Sequence, residues 1–126
     1  MITEDYVSYD TAKLLKEKGF NEPCIATYNL VTKEFEVEEV YQDWTTRWAE
    51  YVSAPTLQMA MKWLREIYHL EIYPFHDAIQ ECNTWWYSAE RHTKGCGLTE
   101  YESDSIYGKY EEACEAGIKY CLENLI

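Results

Sequence analysis

The stretch from Ala54 to Glu66 constrains the fold of this chain more than any other. Leu57, Ala60, Met61, Leu64, Ile67 and Tyr68 recur at the i, i+3, i+4, i+7 spacing of a 3.6-residue period, so they form one apolar stripe that needs a partner surface. Pro55 suits a helix start, and Ser53 or Thr56 can offer an oxygen to the orphan amides of the first turn. Met59 and Trp63 lie outside the stripe as i, i+4 neighbours, so this helix can be apolar on a second face.

Around this helix the chain reads as α+β. Tyr9 to Lys18 is a helix with Ser8 as N-cap, Ala12, Leu14 and Leu15 inward, and Gly19 in the left-handed position beyond its end. Cys24 to Leu30 and Phe35 to Tyr41 have strand composition and form a hairpin through residues 31–34. The second strand slips phase at Glu39, where a bulge would turn Val40 back inward. Trp44, Trp48 and Tyr51 fall at helical spacing and suggest a short turn or a wrapping loop. After the central helix, Leu70 to Tyr73 reads as a strand stopped by Pro74, and Thr84 to Arg91 as its antiparallel partner. Residues 94–108 have little periodicity and read as a flexible loop. Lys109 to Asn124 is a final helix, whose Gly117 stands inside the apolar stripe and calls for a close crossing by a neighbouring element. The expectation is one domain over 1–126, a mostly antiparallel sheet of about four strands with three helices in the order α-β-β-α-β-β-α.

Charge and composition narrow the partners. Eleven Lys plus Arg stand against 23 Asp plus Glu, a net charge of -12, which repels a phosphate backbone, so no direct nucleic-acid ligand is expected. Hydrophobic residues at 47% and aromatics at 16% are far above what a disordered acidic chain carries. No run approaches the roughly 20 apolar residues of a membrane helix, and residues 1–5 lack the pattern of a signal peptide, so a cytoplasmic protein with no membrane partner is expected. The five cysteines are odd in number and irregularly spaced, as reduced thiols are.

Three segments, Glu4 to Phe20, Ala54 to Glu66 and Tyr110 to Ile126, resemble a family of short uncharacterised proteins of Bacteroides-type gut bacteria and their phages and mobile elements. The resemblance implies a bacterial or phage accessory protein and supplies no activity, catalytic residue or cofactor. The chain departs from the family pattern at Lys109, usually a Ser or Thr cap, and at Gly117, usually Ala.

Four chemistries are weighed on the residues themselves. His76, Cys82, His92 and Cys96 are ligand types that zinc accepts, but no Cys-x-x-Cys pair exists and His76 and Cys82 are too widely spaced for a usual arm, so incidental side chains explain them better. Cys96, between glycines, could act as a nucleophile, yet no base is placed beside it, and Cys114 and Cys121 suit a helix core. Neighbouring acids such as Glu38 with Glu39, Glu111 with Glu112, and Glu100, Glu102 and Asp104 are expected in so acidic a chain and read as a solvated face. No catalytic residue, resident metal or cofactor is therefore assigned. Among the aromatics, Trp44, Trp48, Trp63 and Trp86, with Met59, are the candidates for an exposed interface. The expected function is a non-catalytic accessory or regulatory protein that binds another protein, with a homodimer left open. The alternatives are an acidic mimic of nucleic acid that inhibits a DNA-binding protein, and a small enzyme or zinc-binding protein using the His and Cys residues of 76–96.

Overall fold

A computed structural model describes residues 1–44, 49–77, 84–93 and 96–126. These residues gather into two compact units, Met1–Met59 and Ala60–Ile126. The class is α+β with antiparallel pairing, as expected, but the described residues hold six strands in two three-stranded sheets rather than about four strands. The order is α-β-β-β-α-β-β-β-α.

The first unit contains α1 (Tyr9–Glu17), β1 (Cys24–Asn29), β2 (Phe35–Gln42) and β3 (Tyr51–Ser53). Ser8 caps α1 by accepting the Thr11 amide at 3.3 Å, and Gly19, at φ 90°, takes the left-handed position after the helix. Thr11, Ala12 and Leu15 form the buried stripe of α1, which packs on β3. Sheet order is β2-β1-β3, with Thr27 opposite both Glu36 and Ser53. The β1–β2 turn is held by Asn29, whose Oδ1 accepts the Val31 and Thr32 amides at 2.8 and 3.0 Å while Lys33 adopts φ 63°. The phase slip in β2 is real. Cys24 pairs with Gln42 and Ala26 with Val37, so β2 runs a longer path than β1 between the same two rungs. It does not turn Val40 inward, because Val40 is exposed.

Helix α2 (Leu57–Tyr68) is the central helix of the sequence. Thr56 is its cap, its Oγ1 accepting the Met59 amide at 3.1 Å, while Ser53 instead accepts the Trp44 amide at 3.1 Å. Pro55 precedes the helix rather than entering it, and its carbonyl accepts the Val7 amide. Leu57, Ala60, Met61 and Leu64 are buried as the stripe requires, but Ile67 is exposed and Trp63 is buried in its place. His69, at φ 58°, ends α2 and turns the chain straight into the next strand.

The second unit carries β4 (Leu70–Asp77), β5 (Thr84–Thr93), β6 (Cys96–Glu102) and α3 (Tyr110–Asn124), with sheet order β4-β5-β6. Pro74 does not stop β4, which continues to Asp77. The reason is geometric. The His92 amide donates to the His69 carbonyl, and hydrogen-bonded rungs then alternate along the pair, which puts Pro74, opposite Tyr87, on a rung where its nitrogen faces the outer edge. Strand β6 lies within the stretch read as a loop. Nearly all its residues are exposed, so it carries no apolar alternation to betray it. Strand β3 escaped notice because three residues are too few to show a period. Helix α3 covers the face of Ile72, Ala89 and Tyr87, with Gly117 against Ile72 and Tyr87.

Candidate functional site

Strand β2 buries almost nothing, as β6 does, but it alone among the described strands exposes several large apolar side chains. Phe35, Val37, Val40 and Tyr41 are 42%, 54%, 56% and 70% exposed. A strand that carries glutamates at 36, 38 and 39 between these residues cannot press either face fully into a core. The side chains are nevertheless organised. Phe35 lies 5.2 Å, centroid to centroid, from both Tyr6 and Tyr28, and Tyr28 meets Tyr9 edge-on at 5.8 Å, so an aromatic strip runs across this face of the sheet. The Tyr28 hydroxyl donates to the Val7 carbonyl at 2.7 Å and fixes the strip in place.

Beside the irregular part of β2 is a groove of about 250 Å³ lined by residues of the first unit, among them Tyr6, Ile25, Tyr41, Pro55 and Met59. Met59 is 40% exposed at its margin. The chemistry of this groove is mostly apolar. Its lining includes one carboxylate, Glu4, and one thiol, Cys24, but no His, Lys or Arg. Burial, reinforced by Asp43 and Glu22, pushes the Cys24 thiol up to about 12, so it stays protonated and un-nucleophilic at neutral pH. Such a groove suits the side chains of a bound chain better than a reaction.

The interface candidates from sequence separate clearly. Trp44 is buried, its indole N–H donating to the Cys24 carbonyl at 2.7 Å, and Trp63 is buried edge-on to Tyr68 at 5.2 Å. Both are thereby corrected from surface anchors to packing residues. Trp48 lies outside the described residues. Trp86 is half-buried and stacks on the exposed Phe75 at 5.5 Å, a second aromatic patch on the second unit. Phe35, Val37, Val40 and Tyr41 were missed. The signal for them was present, since apolar and acidic residues share both parities of the strand.

The proposed zinc ligands do not converge. His76 lies over Trp85, its strand neighbour on β5, whereas His92 stands seven residues further along β5, about 23 Å away at about 3.3 Å per residue. Cys82 lies outside the described residues. Among the described residues no group of three or more His, Cys, Asp and Glu side chains is arranged to hold a metal ion. His92 instead meets the Tyr73 hydroxyl at 3.2 Å and Glu90 at 3.3 Å, a cross-strand polar cluster that the spacing alone did not reveal. Cys96 is exposed at the start of β6, while Cys114 and Cys121 are buried core residues of α3.

No described helix is long and apolar enough to cross a membrane. Comparisons of the chain with protein-family models, with curated proteins and with solved structures return no match.

Proposed function

We propose that this chain is a non-catalytic accessory protein that works by binding another protein through the β2 face and the adjoining groove of its first unit. The observation that carries this reading is the concentration of exposed Phe35, Val37, Val40 and Tyr41 on one strand, with Met59 at the neighbouring groove. Isolated exposed apolar side chains are ordinary, but four on one eight-residue strand beside a mostly apolar groove are the pattern of an interaction surface. Aromatic and Met side chains such as Tyr41 and Met59 are the types that anchor interfaces. The setting suggested by the sequence resemblance, a bacterial or phage accessory protein, fits a function of this kind.

The test is affinity capture from cells that naturally make the chain, comparing wild type with the Tyr41→Lys, Met59→Lys double variant by quantitative mass spectrometry. Both substitutions are at exposed positions, and an unchanged circular dichroism spectrum is the control that the variant is folded. The reading predicts a protein retained by wild type and lost from the variant. Identical captured sets from the two would refute it.

A further inference from the structure

We propose that the occupant of this surface is an extended segment of a partner protein, with alternating apolar and basic side chains, that adds to β2 as a fourth strand. This rests on the protein-binding reading above and specifies the chemistry of the partner. Among the described residues β2 pairs only with β1, so its other edge is open. The direction of its backbone groups follows from one bond. The Asn29 amide donates to the Glu34 carbonyl at 2.9 Å, which makes that rung hydrogen-bonded. In an antiparallel pair the rungs alternate, so Tyr28 opposite Phe35 and Ala26 opposite Val37 are non-hydrogen-bonded rungs. The N–H and C=O groups of Phe35 and Val37 therefore point to the open edge, unused by the sheet.

Sheet edges are normally blunted by proline, lysine or brevity. In the second sheet β4 carries Pro74 with its nitrogen outward, and in the first sheet β3 has only three residues. Strand β2 has eight residues and neither Pro nor Lys. The edge strand β6, seven residues also without Pro or Lys, exposes only Leu98 of its large apolar side chains, where β2 exposes Phe35, Val37, Val40 and Tyr41. A strand placed on it would meet two chemically different faces. Phe35 and Val37 share a face with Tyr28 and Ala26, so side chains arriving there extend the aromatic strip. Glu36 lies on the opposite face, and Glu34, Glu38 and Glu39 flank it along the chain, so side chains arriving there meet negative charge. Because strand side chains alternate, the complement is apolar at one parity and Lys or Arg at the other. A second copy does not fit. It would bring the same glutamates against each other on two chains of charge -12.

The experiment measures binding of acetyl-Lys-Val-Lys-Val-Lys-Val-Lys-amide to the full chain at physiological ionic strength, by titration calorimetry and amide NMR. A Glu-Val peptide of the same pattern and a block-ordered Lys-Val peptide of the same composition serve as controls. The proposal predicts saturable binding of the alternating Lys-Val peptide, about ten-fold or more tighter than the block-ordered one, with slowed exchange at the Phe35 and Val37 amides. Val37→Pro, which removes an outward N–H that the fold does not use, and independently Glu36→Lys, each weaken binding by about ten-fold or more. Equal binding of the two Lys-Val peptides, preference for the Glu-Val peptide, or a β2-dependent dimer in sedimentation would each overturn the added basic strand. If a captured host protein still depends on Tyr41 and Met59, only the strand proposal falls. Capture indifferent to those residues removes the protein-binding reading itself.

Discussion

Gly117 of α3 lies so close to Ile72 of β4 that a Cβ on residue 117 would stand 2.7 Å from the Ile72 Cγ2. The same atom would be 3.2 Å from the Tyr87 ring. Ile72 is buried and β-branched, so its methyl has little freedom to withdraw. In an exposed helix, Gly→Ala stabilises by about 1 kcal/mol. Here overpacking, typically about 1–3 kcal/mol, opposes that gain. Gly117→Ala is therefore predicted to lower the stability of the second unit, by about 1 kcal/mol in urea denaturation, and Gly117→Val by more.

Arg91 joins the sheet to the end of α3. Its guanidinium donates to the Leu125 carbonyl at 2.8 Å and to Glu100 at 3.1 Å. Helix α3 has no basic residue in its last turn, so Arg91 supplies from β5 the positive charge that a helix C-terminus favours. Arg91→Gln should destabilise by about 1 kcal/mol. Hydrogen exchange should show the loss concentrated in the last turn of α3.

Trp44 tests the packing side of the aromatic assignment. Its buried indole N–H gives the Cys24 carbonyl a partner at 2.7 Å, and phenylalanine would leave that carbonyl unsatisfied as well as a smaller ring. Trp44→Phe should cost about 1–3 kcal/mol in chemical denaturation. A change near zero would return Trp44 to the set of surface residues.

Burial raises three thiols from 9.0, Cys24 and Cys121 to about 12 and Cys114 to about 11. Their stability contribution is fully present below pH 9, where both states hold the proton. It is lost as pH rises from there toward the folded values, because the unfolded thiols ionise first. The urea midpoint should therefore fall between pH 8.5 and pH 11, and fall less in a variant with alanine at all three positions. At neutral pH iodoacetamide should label Cys96, which is exposed, well before these three.

Much of the framework was legible in the residues. The helix stripes, the Ser8 cap, the left-handed Gly19, the first hairpin and the close approach at Gly117 each follow from a local rule. The missed features are those whose determinants are remote. Strand β6 is exposed and exists by pairing with β5, and Pro74 is tolerated because of where its rung falls, which needs the register to be known. Ile67 and Trp63 exchanged places because a period defines a stripe but not its width. The candidate surface was less legible still. The aromatics singled out from sequence as anchors include Trp44 and Trp63, both buried, whereas the exposed set lies on β2, where the mixture of apolar and acidic residues looked like imperfect alternation.

The open edge of β2 carries the binding mode proposed for this chain. Amide hydrogen exchange should be measured by NMR on the chain alone and in complex with the partner captured from its host. Free, Phe35 and Val37 should exchange at nearly unprotected rates while Glu36, whose amide faces β1, exchanges slowly. In the complex, Phe35 and Val37 should become as slow as Glu36. Protection of Phe35 and Val37 already in the free chain, or rates unchanged by the partner, would contradict the account.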